Sequence, residues 1–296
     1  MKIGWIGTGV MGNPMCGHLL KHGHTVMVYS RTKAKLDNLL SERCYYAQPV
    51  EIAKSCDVVF TMLGFPKDLE DMVLDANTGI LSHMKPGSIF IDHTTSSPNL
   101  AVAIYNKAKE LGVDAIDAPV SGGDVGAMNG QLVVMCGSNL DAYQRAKPLL
   151  SCYSKAIELF GGAGMGQHAK MANQISVAST VLGTCETMLY ASRVGLKGDQ
   201  LINLIKNGAA ASFSLEKYGP RILERNLDPG FYIEHFVKDL EICVQECWKM
   251  NLTLPGLENA RMLFKLCVAQ GKGKLGVHGL TECLEHINNI ETKSNK

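Results

Sequence analysis

The stretch from Gly164 to Arg193 constrains the fold of this chain more than any other. Apolar residues recur along it in steps of three and four, which predicts one continuous helix with a single buried side. These residues are Met171, Ile175, Ala178, Leu182, Cys185 and Leu189. At about 1.5 Å per residue the helix would be about 45 Å long. An element of that length in a chain of 296 residues indicates a connection between two domains.

The first half of the chain alternates between short buried strands and helical patterns, which is typical of a sheet with crossover helices. Strands are predicted at residues 2–7, 25–29, 57–62, 88–92, 113–117, 131–136 and 155–159, and a helix at 140–150. The second half shows only helical spacing, at residues 197–206, 233–250, 257–269 and 277–286, with glycine or proline at the joints, Gly219-Pro220 among them. We therefore predict an α/β Rossmann-type domain (1–162) followed by an all-α domain (163–296), joined by the long helix.

Composition limits the classes of function. The formal net charge is +1 and 46% of residues are hydrophobic, so neither a nucleic-acid nor a membrane partner is indicated. The ten cysteines form no CxxC pair and no metal-site spacing, which predicts buried, reduced thiols and no metal. The first strand begins at residue 2 without a targeting segment, which predicts a cytoplasmic protein, or a mitochondrial one if a transit peptide has been removed. The polar terminus ETKSNK is expected to fray.

A glycine fingerprint follows the first strand directly. Gly7, Gly9 and Gly12 form GxGxxG at the first strand-to-helix junction. The first glycine permits a tight turn, the second lets the backbone approach a pyrophosphate, and the third allows close helix–strand packing. The helix N-terminus supplies free N–H groups to the phosphates. The junction therefore predicts a dinucleotide-binding domain.

The end of the second strand bears on the choice of cofactor. A Rossmann unit that binds NAD normally has an acidic residue there, and this chain has none. Hydroxyls and positive charges stand in its place, at Ser30, Arg31, Thr32 and Lys35. They favour a 2′-phosphate, so NADP(H) is preferred over NAD(H). If Arg31 only stacks on the adenine, the choice of cofactor stays open.

Three later loops follow strands, at the edge of the sheet where open α/β sheets bind ligands. The first, Leu63 to Pro66, is placed to cover the cofactor, and the second contains Thr95. The third contains Ser121-Gly122-Gly123, whose backbone N–H groups can form an anion site for a carboxylate. An ordinary glycine-rich loop is the alternative for this third segment. His93 is left unassigned, because a lone histidine after a strand is more often structural.

The start of the long helix carries Lys170, Asn173 and Gln174, whose spacing puts them on one side of the helix. They predict a polar site there. On residue type alone, Lys238 and Asp239 indicate nothing more than solvated surface.

Together these motifs identify a resemblance. The chain is similar to the β-hydroxyacid dehydrogenases, which include 3-hydroxyisobutyrate dehydrogenase, tartronate semialdehyde reductase and the glyoxylate/succinic semialdehyde reductases. Four blocks match in order and spacing across the whole chain: GTGVMGNPM (7–15), DAPVSGGDVGA (117–127), GAGMGQHAKMANQ (162–174) and HFVKDL (235–240). The segment from Gly208 to Lys217, where substrate preference should vary, has no readable pattern.

The resemblance implies a role for each matching residue. Lys170 is implied as the catalytic lysine. Cofactor contacts are implied or predicted for Gly7, Gly9, Val10, Met11, Gly12, Ser30, Arg31, Thr32, Lys35, Leu63, Thr95 and Lys238. Substrate contacts are implied for Ser121, Gly122, Gly123, Asn173 or Gln174, Thr95, Phe231 and Asp239. This overrides the surface interpretation of the Lys238-Asp239 pair.

The expected function is an NAD(P)-dependent oxidoreductase that interconverts a short β-hydroxy acid and its semialdehyde, as 3-hydroxyisobutyrate dehydrogenase does. Lys170 is expected to be the general acid and base, since partial burial can lower the pKa of a lysine. A glyoxylate/succinic semialdehyde or tartronate semialdehyde reductase is the alternative within the family. A non-catalytic NADP-binding scaffold is the alternative of another class. The resemblance also implies a homodimer or homotetramer.

Overall fold

The computed structural model describes residues 1–290 and divides the chain into two compact units. The N-terminal unit is Met1–Lys170 and the C-terminal unit begins at Met171, so the division falls within one long helix. The prediction that the terminus ETKSNK frays concerns residues 291–296, which lie outside the described residues.

The N-terminal unit is built on a six-stranded parallel sheet. Its strands are β1 (Lys2–Ile6), β2 (Thr25–Tyr29), β3 (Cys44–Tyr46), β4 (Val58–Thr61), β5 (Ile89–Asp92) and β6 (Asp114–Asp117). Their order is β3-β2-β1-β4-β5-β6, which is the order of a Rossmann fold. Successive strands are added on one side of β1 up to β3 and on its other side from β4 onward. The predicted fold class is confirmed.

Both faces of this sheet are buried. Along β4, Val58 and Phe60 pack into one apolar cluster while Val59 packs into another, since neighbouring strand residues point to opposite faces. Helices that follow the strands supply further residues to these two clusters, as expected of a doubly wound sheet. They are α1 (Gly12–Lys21), α2 (Pro49–Ser55), α3 (Pro66–Leu74) and α4 (Pro98–Glu110), with 3-10 turns at Lys33–Leu36 and Ile80–His83.

A second, smaller sheet completes the N-terminal unit. Its strands are β7 (Val120–Ser121), β8 (Leu132–Cys136) and β9 (Ser154–Leu159), with β7 antiparallel and β9 parallel to β8. The helices α5 (Gly123–Met128) and α6 (Leu140–Leu150) lie between these strands in the chain. The long helix then follows as α7 (Met165–Arg193), 29 residues in a single element.

The C-terminal unit contains helices only, apart from one isolated β-bridge between Tyr232 and Gly276, as far as residues 171–290 are concerned. After α7 come α8 (Gly198–Ile205), α9 (Phe213–Leu223), α10 (Ile233–Lys249), α11 (Pro255–Ala269) and α12 (Leu280–Ile287), with a 3-10 turn at Val277–Gly279. One apolar cluster holds them together, and α7 contributes buried Met171, Ala178 and Cys185 to it. The predicted stripe on the long helix is therefore confirmed.

Two local predictions are wrong. Gly219-Pro220 lies inside α9 and is not a joint between helices. The glycine is explained by packing: a Cβ at Gly219 would lie only 2.9 Å from the Ile202 side chain, so its absence allows α8 to pack closely. The cysteines are not all reduced: Cys267 of α11 and Cys283 of α12 form a disulfide, with their Cα atoms 5.8 Å apart. The other eight cysteines are free and buried, as predicted.

Candidate active site

Apart from Lys170 on α7, the residues predicted to bind ligands in the N-terminal unit follow five adjacent strands, β2, β1, β4, β5 and β6. Parallel strands end at the same edge of a sheet, so the topology brings these loops together. The strand order reverses between β1 and β4, and open α/β sheets bind their ligands at such a point.

No helix within residues 1–290 is long and apolar enough to cross a membrane.

The three fingerprint glycines differ in what surrounds them. Gly7 has a φ of 101°, and a Cβ there would collide with the Met62 carbonyl. A Cβ at Gly12 would collide with the carbonyl of Gly7. A Cβ at Gly9 would meet nothing within 4 Å. Two glycines are therefore required by the fold, whereas the middle one leaves open space beside the backbone. This pattern fits a bound pyrophosphate.

The sequence prediction missed Thr8, between the first two glycines. Its side chain is only 2% exposed, and its hydroxyl has no hydrogen-bond partner among the described residues. A buried hydroxyl beside a phosphate loop is available to a bound dinucleotide. The signal in the sequence was a hydroxyl residue in place of an apolar one inside the fingerprint.

The turn after β2 carries the residues predicted to choose the cofactor. Ser30 is buried, whereas Arg31, Thr32 and Lys35 are exposed. The guanidinium of Arg31 lies 3.0 Å from the Asp68 carboxylate, with 77% of the arginine side chain exposed. The exposed guanidinium is accessible to a phosphate. Replacing its ion pair with Asp68 would cost little, since exposed ion pairs contribute little stability.

The loops after β4 and β5 are joined by a hydrogen bond. The backbone N–H of Leu63 donates to the Thr94 hydroxyl over 3.0 Å, and the N–H of Thr94 donates to the Asp92 carboxylate over 3.0 Å. Thr95, the next residue, is half-buried. The structure thus joins Leu63 to the residue before Thr95, two positions that the sequence predicted separately.

Lys170 lies against the segment predicted to bind a carboxylate. Its ammonium donates to the Val120 carbonyl over 2.9 Å, and the residue is 7% exposed. Ser121, Gly122 and Gly123 follow directly and are half-buried. The two glycines have φ values of 129° and 63°, a left-handed backbone that favours glycine. The structure therefore places a buried lysine beside a half-buried glycine turn.

A buried carboxylate anchors the start of α7, and sequence reasoning missed it. Asp117 accepts hydrogen bonds from the backbone N–H groups of Gly164 and Gln167, over 2.8 Å and 2.9 Å. Burial raises the pKa of the Asp117 carboxyl to about 7, although both N–H donors act in the opposite direction. These partners are about 50 residues away in the chain, so no local pattern could have revealed them.

His93 is held as a structural residue within the N-terminal unit. Its two ring nitrogens lie 2.6 Å from the Ala118 carbonyl and 2.9 Å from the Tyr153 hydroxyl. Burial lowers the pKa of the imidazole to about 4. Both nitrogens are thus occupied, which agrees with leaving this histidine out of the site.

Among residues 1–290, no group of three or more His, Cys, Asp or Glu side chains could hold a metal ion.

In the C-terminal unit, four polar residues form a connected network. The side-chain amide of Asn173 donates to the side-chain amide oxygen of Gln174 over 2.8 Å, and the Gln174 side-chain N–H donates to the Asp239 carboxylate over 2.6 Å. Lys238 pairs with the other oxygen of that carboxylate at 2.7 Å. Gln174 is 1% exposed with both ends of its amide engaged, while Asn173 is half-buried. The Lys238-Asp239 pair is therefore not solvated surface.

Phe231 lies just before α10. Its ring centroid is 5.3 Å from that of Phe236, and its side chain packs partly buried against the helical core. The packing leaves part of the ring accessible. Its predicted role in binding substrate is compatible with this exposure.

Comparison with known proteins assigns the family. Residues 2–162 match the NAD-binding domain of 6-phosphogluconate dehydrogenase, and residues 164–284 match the NAD-binding family of NADP-dependent 3-hydroxyisobutyrate dehydrogenase. The chain is 47% identical, over 99% of its own length and 88% of the relative, to the probable 3-hydroxyisobutyrate dehydrogenase-like 1 (mitochondrial) of Arabidopsis thaliana. This chain belongs to the β-hydroxyacid dehydrogenase family. It is an NAD(P)-dependent oxidoreductase of hydroxy acids.

Two further members show the breadth of this family. The 2-hydroxy-3-oxopropionate reductase of Escherichia coli is 34% identical over 98% of this chain and 99% of its own. The 3-hydroxyisobutyrate dehydrogenase of Mycobacterium tuberculosis, solved with L-serine, is 25% identical with a TM-score of 0.84 and covers 96% of this chain and 98% of its own. The family therefore spans several short hydroxy acids on one fold.

Proposed function

We propose that this dehydrogenase interconverts a short β-hydroxy acid and its semialdehyde, as 3-hydroxyisobutyrate dehydrogenase does, with Lys170 as the general acid and base. The observation that carries the proposal is the 2.9 Å hydrogen bond between the Lys170 ammonium and the Val120 carbonyl. That bond holds a buried cation next to the backbone of Ser121–Gly123. A cation and an anion-binding turn side by side suit a substrate that carries a carboxylate close to its reacting oxygen.

The residues of the chain would share the chemistry as follows. Ser121, Gly122 and Gly123 bind the substrate carboxylate through backbone N–H groups and the serine hydroxyl. Lys170 donates a proton to the reacting oxygen in reduction and removes the hydroxyl proton in oxidation. Asn173, one helical turn further along α7, orients the substrate. The nicotinamide cofactor, when bound, supplies or accepts the hydride.

The C-terminal residues support this division of labour. The amide of Gln174 is already engaged by Asn173 and Asp239, so Gln174 serves to hold Asn173 in place. Of the two amides, Asn173 is therefore the one proposed to meet the substrate. Asp239 and Phe231 are proposed to contact the substrate, and Lys238 the cofactor.

NADP(H) is the proposed cofactor. The glycine loop from Gly7 to Gly12 would hold the pyrophosphate, with Val10 and Met11 at the start of α1. Thr95 and Leu63 would lie against the nicotinamide half. Arg31 is the main support for the 2′-phosphate, because its exposed guanidinium needs only to exchange the Asp68 carboxylate for the phosphate. Ser30, Thr32 and Lys35 would add donors in the same turn.

Kinetics with single variants test the cofactor proposal. Arg31→Ala should lower the ratio of kcat/KM for NADPH to that for NADH by about 10- to 100-fold, since a charged hydrogen bond contributes about 1.5–3 kcal/mol. Lys54→Ala removes an exposed charge from α2 and serves as the charge-matched control. A wild-type ratio below one would make NAD(H) the cofactor of choice, and an unchanged ratio in Arg31→Ala would refute the role of Arg31 in choosing it.

The substrate proposal is tested by turnover. The purified protein is offered glyoxylate, succinic semialdehyde, tartronate semialdehyde and methylmalonate semialdehyde, and 3-hydroxyisobutyrate in the oxidative direction, while absorbance of the reduced nicotinamide is followed. Turnover with 3-hydroxyisobutyrate and methylmalonate semialdehyde is expected, and preference for another acid would favour the corresponding reductase. Tight NADPH binding without turnover of any of them would favour the scaffold alternative.

The role of the lysine has its own test. Lys170→Ala should lower kcat by about 10²- to 10⁴-fold, the usual contribution of a general acid or base. Lys155→Ala, at an exposed position on β9, is the matched control and should leave kcat unchanged. A Lys170→Ala enzyme with a kcat within a few-fold of wild type would refute this role.

We further propose a homodimer or homotetramer in the cytoplasm or the mitochondrion. Large apolar side chains of the C-terminal unit are exposed, among them Tyr190, Leu204, Trp248 and Met262. Faces of this kind are typical of subunit contacts. Light scattering after size-exclusion chromatography would give the assembly state, and a monomer at micromolar concentration would refute the oligomer.

A further inference from the structure

The first turn of α7 contains a fully buried glutamine that no predicted role accounts for. Gln167 is 0% exposed. Its amide nitrogen donates to the Thr94 carbonyl over 2.8 Å, and its amide oxygen accepts from the Ser96 N–H over 3.0 Å. One side chain thus binds the backbone on both sides of Thr95.

The same glutamine is fixed through its backbone. The N–H of Gln167 donates to the Asp117 carboxylate at the end of β6. Gln167 therefore connects the loop after β5 to the last residue of β6. Both connections lie within the N-terminal unit, and both are buried.

Lys170 follows Gln167 by three residues on the same helix, which puts their side chains on one side of α7. A helical turn is stiff, so fixing Gln167 also fixes the base of the lysine side chain. The ammonium of Lys170 reaches the Val120 carbonyl from there. The glutamine amide thereby links the backbone around Thr95 to the helical turn that carries Lys170.

We propose that Gln167 is a positioning residue that holds Thr95 at the correct distance from the lysine ammonium. The proposal rests on the proposed function, in which Lys170 moves the proton and Thr95 lines the same site. Errors of about 1 Å in such an arrangement lower rates by about 10²-fold. A glutamine that only filled space would be replaceable by an apolar side chain of the same length.

Gln167→Met tests this, because methionine keeps the length and loses both hydrogen bonds. Its kcat should fall by about 10- to 100-fold, while the Kd for NADPH, measured by nicotinamide fluorescence, stays within about threefold of wild type. The Ser96 amide should exchange its hydrogen faster, since its acceptor is gone. Wild-type kcat and KM in a variant with faster Ser96 exchange would overturn the positioning role.

Gln167→Glu provides a readout that a purely structural role would not affect. A protonated carboxyl has one donor and one acceptor, as the amide has, whereas a carboxylate cannot donate to the Thr94 carbonyl. The ratio of variant to wild-type kcat should therefore rise as the pH is lowered. The nearby titrating or charged groups, Asp117, Asp92 and Lys170, are present in both enzymes and largely cancel in the ratio. A ratio of kcat values that does not change with pH would count against the proposal. This test remains decisive if Gln167→Met does not fold.

Two controls separate this inference from the proposed function. Ile104→Val, a buried change in α4, controls for lost stability alone and should keep wild-type kinetics. Wild type and Lys170→Ala are assayed first. An inactive wild type would overturn the proposed function together with this role, whereas an active wild type and an equally active Gln167→Met would overturn the positioning role alone.

Discussion

Asp117 predicts an unusual dependence of stability on pH. Its buried carboxyl has a pKa of about 7 in the folded protein, against an ordinary value of 3.8. Between these two pH values the folded chain holds a proton that the unfolded chain has released. The stabilising proton is therefore present at low pH and lost as the pH rises through about 7, so the N-terminal unit should lose stability on going from acid to neutral pH.

The size of this effect follows from the two pKa values. They differ by about three pH units, and each unit corresponds to about 1.4 kcal/mol, which gives about 4 kcal/mol in total. Asp117→Asn removes the titration and one acceptor for the N–H groups of Gly164 and Gln167. The lost hydrogen bond should destabilise the variant by about 1–3 kcal/mol at every pH. The titration should stabilise it relative to wild type by about 3 kcal/mol between about pH 4.5 and about pH 8.

Denaturant unfolding at a series of pH values measures this difference. The chain has two tryptophans, Trp5 buried in the N-terminal unit and Trp248 exposed in the C-terminal unit. In a Trp248→Phe background, fluorescence of Trp5 therefore reports the N-terminal unit alone. If the difference between wild type and Asp117→Asn stays constant across the pH range, the Asp117 carboxyl does not titrate in this window and the reasoning is refuted.

Four further predictions concern the glycine loop and the cysteines. Gly9→Ala should leave the melting temperature within about 2 °C of wild type, as its Cβ meets no protein atom, but should weaken NADPH binding at least about tenfold in a fluorescence titration. Gly12→Ala should lower the melting temperature by several degrees, because its Cβ collides with the Gly7 carbonyl, and a stable variant would contradict the geometry. Thiol titration in denaturant should find eight free thiols, and ten only after reduction, if Cys267 and Cys283 are joined in solution. Reduction of this disulfide should lower the free energy of unfolding by about 3 kcal/mol, given the 16-residue separation, and an unchanged midpoint would contradict it.

Much of the fold could be predicted because its signals are local. Short runs of apolar residues gave the main parallel strands, and spacing of three and four gave most of the helices, including the long one. β3 was missed because it has only three residues and one buried side chain. α9 was missed because Gly219 and Pro220 usually end helices, and only the packing against Ile202 explains the glycine inside this one.

The candidate site was predictable to the extent that its residues stand in motifs. The matching blocks identify Lys170 and Ser121, and the structure places the Lys170 ammonium against the carbonyl of Val120, the residue before Ser121. Asp117 also stands in a block, but its partners are far away in the chain, and so are those of Gln167. Hydrogen bonds across 50 or 70 residues leave no periodic trace in a sequence. The choice between Asn173 and Gln174 likewise needed the Asp239 contact.

The exposure of the turn after β2 has a consequence for how such enzymes diverge. Arg31, Thr32 and Lys35 are exposed, so changing them should alter stability by no more than about 0.5 kcal/mol each. Gly7 and Gly12, by contrast, cannot be replaced without a collision, because a Cβ at either position would meet a backbone carbonyl. With the proposed cofactor contacts, descendants of such a chain would switch between NADP(H) and NAD(H) through a few surface mutations, while the loop proposed to bind the pyrophosphate stays unchanged. The same separation would make the cofactor preference accessible to engineering.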